Sequence, residues 1–211
     1  MRDLSHELVT GMPVYPGDPE VTISPALTLD SDGVAVTQVH MGSHTGTHLD
    51  APSHTVPGGR TLAEVTLDEL VGETRVIRAD RDGPLRVHQP LGVRELGLDE
   101  LVSLPAIVIV ATGWSRFFGE PEYAEHPYLT REAAERMWEL GMRVLAVDTL
   151  SPDETPSEDF PVHEVVLGGD GLIVENLAGV EGLGEMVRVG FFPLRLGAVD
   201  GAPVRAVAFD A

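Results

Sequence analysis

Short runs of Val, Ile, Leu and Phe, interrupted every few residues by glycine, proline or acidic side chains, set the rhythm of this chain. Eight of these runs read as strands: residues 21–24, 34–40, 74–79, 106–111, 143–148, 172–175, 187–192 and 204–209. The run 106–111 (AIVIVA) is apolar throughout, which predicts a strand buried on both faces. Helical signals are fewer. Residues 67–71 follow a capping box made by Thr66 and Glu69, with Gly72 placed to close the turn, and residues 131–140 lie between Thr130 as N-cap and Gly141. A third, shorter helix is expected over 98–102.

The helix at 131–140 leads directly into the strand at 143–148, an αβ join that predicts an α/β protein. Strands outnumber what a doubly wound sheet needs, so the expected fold is a barrel-like mixed β-sheet with peripheral α-helices. No internal repeat or low-complexity linker divides the chain, and the 16 prolines and 23 glycines read as turns within a single domain spanning 1–211.

Composition narrows the function. With 34 acidic residues against 14 basic ones the net charge is −20, which argues against nucleic-acid phosphates or an anionic membrane surface as partners. All 14 basic residues are arginine, a bias that says little about mechanism. The absence of cysteine removes disulfides and thiol nucleophiles. The first residues lack the apolar stretch of a signal peptide and no run approaches the length of a membrane span, so a cytoplasmic protein is expected.

The chemistry is concentrated in residues 43–54, SHTGTHLDAPSH, where His44, His48, Asp50 and His54 crowd into a dozen positions. Imidazole and carboxylate together suit zinc, manganese, iron or cobalt. Gly46, two β-branched threonines and Pro52 disfavour a helix here. In an extended segment, positions 44, 46, 48 and 50 point to one side, and three ligands converge. A second source of donors is 160–176, which supplies His163 and Glu175; the latter ends an apolar strand, where a buried carboxylate needs a cation to stay ionised. Asp148 is a candidate for orienting a ligand histidine, against a turn or capping role. Trp114, Phe117 and Phe118 stay open between pocket and core. His6 and His40 read as structural hydrogen bonders, and His88 and His126 as loop residues outside the site. No GxSxG sequence supports a serine nucleophile.

The segments DLSHEL (3–8), PVYPGD (13–18), HTGTHLDAPSH (44–54), ATGWS (111–115), AVDTLSPD (146–153) and FPVHEVVLGGDGLIVENL (160–177) together resemble the cyclase family of metal-dependent hydrolases, best known through bacterial kynurenine formamidases. The likeness runs nearly the full length. It implies two divalent ions per chain, zinc first and manganese second. His44, His48 and Asp50 would hold one ion, Asp50 would also reach a second, His163 would bind that second ion, and Glu175 would touch both. His54 would be the proton donor and acceptor.

The resemblance further implies a homodimer or higher oligomer and a small aromatic amide as substrate, while the acidic charge already sets aside nucleic acid and membrane as partners. N-formylkynurenine, hydrolysed to kynurenine and formate, is the first expectation. A cyclic amide or lactone of the isatin type is the alternative, as is a catalytically silent metal binder. Tyr15 stands where the formamidases carry a tryptophan that packs on the substrate, which makes it the candidate substrate-binding residue.

Overall fold

The computed structural model describes residues 1–81 and 83–209, so Asp82 and the last two residues of the expected domain lie outside the described residues. Along the chain run β1 (Arg2–Asp3), β2 (Thr22–Leu27), α1 (Leu29–Asp32), β3 (Val36–His40), β4 (His48–Asp50), α2 (Leu67–Leu70), β5 (Val71–Arg78), β6 (Pro90–Leu91), β7 (Ile107–Ala111) and β8 (Tyr128–Leu129). They are followed by α3 (Arg131–Leu140), β9 (Val144–Val147), α4 (Pro161–Gly168), β10 (Leu172–Glu175), β11 (Met186–Pro193) and β12 (Gly201–Phe209).

The main sheet has the order β1-β12-β11-β5-β7-β9-β10-β4, and β12 pairs with β4 as well, closing seven strands into a barrel with β1 added outside the ring. Strands β5, β7, β9 and β10 run parallel; β4, β11 and β12 join antiparallel. Closure leaves few unpaired edges. The long β12 makes it possible, because Gly201 to Pro203 pair with β4 while Val204 to Phe209 pair with β11. Strands β2 and β3 form a separate two-stranded ribbon.

The two-residue period of the strands sorts the apolar residues into two layers. Leu49, Val76, Ile107, Ile109, Val144, Ala146, Leu172, Val174, Val189, Phe191, Ala202 and Ala206, drawn from all seven strands, fill the barrel. Their neighbours Ile77, Val108, Val110, Leu145, Val147 and Ile173 point outward and pack beneath Ala133, Met137, Val162 and Val166 of α3 and α4. Ile107–Ala111 is therefore buried on both faces, as the apolar run predicts, while Ala106 lies outside the strand and is exposed. The α/β class and the barrel-like mixed sheet with peripheral helices are both found.

Three local expectations change. The capping box of Thr66 and Glu69 forms, but α2 ends at Leu70 and Gly72 lies inside β5 opposite Val189. Pairing with β11 extends the strand N-terminally and displaces a helical C-cap. Residues 98–102 form turns: Gly97 is in the left-handed region at φ 65° and the Leu98 N–H reaches back to the Val93 carbonyl. The backbone bonds that follow are of the i→i−3 kind, from Glu100 N–H to Gly97 O and from Leu101 N–H to Leu98 O at 3.4 Å each, and no helical ladder develops. Conversely, α4 was not foreseen. Pro161 occupies its first turn, where the missing N–H costs nothing.

Phe191 is completely buried inside the barrel. Phe191→Ala should lower unfolding stability by about 3–5 kcal/mol, read as a reduced denaturant midpoint at unchanged slope.

Candidate metal centre

The barrel's alternation places the chemical groups. Because Leu49 and Val174 point inward, their strand neighbours His48, Asp50 and Glu175 point outward, and antiparallel register sets Glu175 opposite His48 and Ile173 opposite Asp50. Helix α4 packs over β10 and contributes His163, and the short 3-10 turn Pro52–His54 contributes His54.

His44 arrives differently from the sequence expectation. Only His48–Asp50 is strand, whereas residues 43–47 turn, with Gly46 at φ 58° and room for no side chain, since a Cβ there would sit 2.6 Å from Leu8 Cδ2. The turn nonetheless brings the His44 ring back onto Asp50. Its close approach also requires Gly201, whose Cβ would fall 2.6 Å from the Leu49 carbonyl oxygen and 2.9 Å from His44 Cε1.

The donors converge around the two carboxylates. His44 Nδ1 is 2.6 Å and His48 Nε2 3.2 Å from Asp50 Oδ1, and His48 Nε2 is 3.3 Å from Glu175 Oε2. His163 Nε2 is 3.5 Å from Glu175 Oε1 and 3.8 Å from Asp50 Oδ2. One donor atom each from His44, His48 and Asp50 fall within 4.8 Å of one another, and so do those of Asp50, His163 and Glu175. Asp50 belongs to both groups. The His54 ring stands 3.9 Å from that of His44 and 5.7 Å from that of His163, centroid to centroid.

The outer nitrogens of the three inward-facing imidazoles are held as well. His48 Nδ1 donates to the Gly46 carbonyl at 2.8 Å, His163 Nδ1 to Asp153 Oδ2 at 2.7 Å, and His44 Nε2 to Asp200 Oδ2 at 2.9 Å. Asp153 also accepts from the backbone N–H groups of Val162 and His163, and so caps the start of α4.

Electrostatics bind the group together. Burial pushes the Glu175 carboxyl up, and the neighbouring Asp50 charge pushes it further. For Asp50, burial opposes the charge, but His48 and His44 outweigh it and hold the carboxyl well below the usual range. Burial likewise opposes charge on His44, yet Asp50 and then Asp200 raise it to about 9. His54 goes the other way: burial lowers it, and the attraction of Asp50 is countered by His44 and His163.

Five buried or half-buried donors fit a divalent cation on a further count. Asp50 Oδ2, Glu175 Oε1 and His48 Nε2 are buried and make no hydrogen bond, and the two oxygens lie 3.8 and 3.5 Å from His163 Nε2. Unsatisfied buried polar atoms carry a cost of about 1–3 kcal/mol each, more when charged, and a cation among them would relieve it. All are nitrogen or oxygen donors, the set that suits borderline divalent ions.

A cavity of about 460 Å³ opens onto this cluster, with Tyr15, Phe160 and Leu150 along its walls and His54 and Asn176 at its floor. The sequence-predicted residues His44, His48, Asp50, His54, His163, Glu175 and Tyr15 all line it or lie directly beneath it. Trp114, left open between pocket and core, is buried against Tyr123 and Leu150, with Phe117 and Phe118 packed beside them. Asp148 orients no histidine; it accepts from Thr112 and from the Gly113 N–H, bracing a turn. His126 is buried and bound to Pro127 and Thr155, His88 pairs with Glu154, and neither reaches the centre. Asp153 and Asp200 were missed. Neither stands in a His-rich motif, and only the tertiary fold brings them to the rings of His163 and His44.

Comparison with known proteins agrees with this picture. Residues 2–154 match the model of the Cyclase family, described as "Putative cyclase". The kynurenine formamidase of Paracidovorax citrulli (strain AAC00-1) is 34% identical over 209 residues, 97% of this chain and 94% of its own. The predicted metal-dependent hydrolase from Bacillus stearothermophilus shares 25% identity at a TM-score of 0.80, over 100% of this chain and 98% of its own. Isatin hydrolase A from Labrenzia aggregata, solved with benzyl benzoate, has the same fold at a TM-score of 0.86 and 23% identity, covering 98% of this chain and 92% of its own. Among the described residues no helix is long and apolar enough to cross a membrane. With a family model matched over more than two thirds of its length and a full-length relative above 30% identity, the chain belongs to the cyclase family.

Proposed function

We propose that this chain is a metal-dependent hydrolase of carbon–nitrogen amide bonds, acting on a small aromatic formamide such as N-formylkynurenine. The observation that carries the reading is the convergence of His44, His48, Asp50, His163 and Glu175 at the floor of a cavity walled by Tyr15 and Phe160. A formamide is preferred over a cyclic amide because the relative with the higher identity is a kynurenine formamidase, whereas the isatin hydrolase likeness is one of fold.

In this reading His44, His48 and Asp50 would hold one ion, and Asp50, His163 and Glu175 would hold a second. Zinc is the first candidate and manganese the second, because the donors are imidazole and carboxylate without thiolate. When bound, such ions supply Lewis acidity toward a carbonyl oxygen and lower the pKa of water to about 7.

The remaining work falls to the chain's own side chains. Burial and its histidine neighbours lower the His54 pKa, which favours the neutral ring, and a third of its side chain is exposed on the cavity it lines. A neutral imidazole so placed accepts a proton from the attacking water and returns it to the departing nitrogen. The Tyr15 and Phe160 rings, 6.3 Å apart and tilted by 57°, offer apolar faces to an aromatic substrate and restrict water around it.

Zinc- or manganese-loaded protein should hydrolyse N-formylkynurenine with release of formate, and should do so faster than it opens isatin. Elemental analysis of the same preparation should give two metal equivalents per chain. Turnover of isatin alone would move the substrate to the cyclic amides, and no turnover of N-formylkynurenine or formylanthranilate would defeat the formamide reading. A second measurement isolates His54. Its replacement by alanine should leave the metal content intact and lower kcat by about 10²–10⁴-fold; loss of metal along with turnover would make it a ligand instead.

A further inference from the structure

An imidazole has two nitrogens, and the group that binds one decides what the other can do. For His48 and His163 the outer nitrogen is Nδ1, taken by the Gly46 carbonyl and by Asp153, and Nε2 faces the carboxylates. His44 is inverted. Its inward nitrogen is Nδ1, and its outer nitrogen, Nε2, meets Asp200 Oδ2 at 2.9 Å. Because His44 enters from a turn and not from β4, sheet register does not orient its ring.

We propose that Asp200 is a positioning residue that accepts the Nε2–H of His44, thereby aiming Nδ1 at the Asp50 side of the centre and steadying the tilted His44–His54 ring pair. The inference rests on the metal-centre reading above.

The placement of Asp200 suits that role. Its Oδ1 accepts from Ser43 Oγ at 3.1 Å and its backbone carbonyl accepts from the Ala51 N–H at 2.8 Å. The next residue, Gly201, begins β12 directly opposite Asp50. The carboxylate is thus tied to the strand that carries the ligand and to the turn that carries the histidine. Its Oδ2 also lies 3.7 Å from His54 Nδ1, so one carboxylate faces both rings.

The competing role is direct ligation, since Asp200, His44 and His54 also offer donor atoms within 4.8 Å of one another. Burial argues against it. The Asp200 side chain is 41% exposed, compared with 1% for Asp50 and 8% for Glu175. Moreover, the nitrogen it binds is the one turned away from the Asp50 carboxylate.

Zinc competition with a chromophoric chelator at fixed pH separates the two roles, using wild type, Asp200→Ala, Asp200→Asn and His48→Ala. Asp200→Ala should bind zinc about 10–100-fold more weakly than wild type. Asp200→Asn should lie closer to wild type than to the alanine variant, because its amide oxygen still accepts from Nε2 while its NH₂ donates to Ser43. An unchanged affinity in Asp200→Ala overturns the proposal. So does an asparagine variant as weak as His48→Ala, which would make Asp200 a ligand, and this comparison holds even if the alanine variant fails to fold. Wild type that binds zinc no better than His48→Ala would refute the metal reading itself, and with it this inference; tight wild-type binding lost in His48→Ala but kept in Asp200→Ala would refute only the role of Asp200.

Discussion

Two carboxylates buried on neighbouring strands are the constraint to which the rest of the site responds. Asp50 on β4 and Glu175 on β10 project from the same face of the sheet, and burial removes the water that would otherwise separate their charges. Removing one such ion from water costs several kcal/mol unless close partners compensate. Three imidazoles turn a nitrogen toward the pair, and two further acids, Asp153 and Asp200, hold two of those imidazoles from behind. In a chain with net charge −20, concentrating acids in this way is stable only around cationic centres, whether protons on His44 and His48 or a divalent ion.

The barrel makes this concentration possible through parity. Leu49 lies between His48 and Asp50 and points into the core, so the apolar filling of the barrel and the polar set outside it are defined by one alternation. Strand β4 is only three residues long, yet it is bonded on one side to β10 and on the other to β12. A slip of one residue would put Leu49 into the centre and two ionisable groups into the core, an exchange that double pairing prevents. The short strand is thereby held as firmly as a long one.

Sequence alone exposed what is local and missed what is tertiary. The density of ligand types in SHTGTHLDAPSH identified His44, His48, Asp50 and His54 as candidates, and the two-residue period correctly put His48 and Asp50 on one side. The same period failed at His44, because Gly46 adopts a left-handed turn that alternation does not describe. His163 and Glu175 were recognisable as a donor pair, but the helix that carries His163 was hidden by a proline that reads as a breaker until it falls in the first turn. Asp148 looked like the carboxylate behind a histidine because it ends an apolar strand. Asp153, five residues later in a segment without regular structure, has that position, and nothing in local patterning separates the two.

The two walls of the cavity are built from different kinds of structure, and this bears on how far fold similarity reaches. The wall that carries His48, Asp50 and Glu175 comes from paired strands whose register is fixed by the barrel. The opposite wall comes from residues 13–18, which have no strand or helix, and from Phe160 at the N-cap of α4. Exchanges at Tyr15 can alter the apolar face without touching strand pairing. Phe160 is less free, since its ring stands 5.7 Å from that of His163 and its residue leads directly into the helix that positions this imidazole. One fold can therefore keep its buried histidines and carboxylates while the 13–18 segment that lines the cavity varies, so a shared barrel with isatin hydrolase and a shared family with the formamidases are compatible observations.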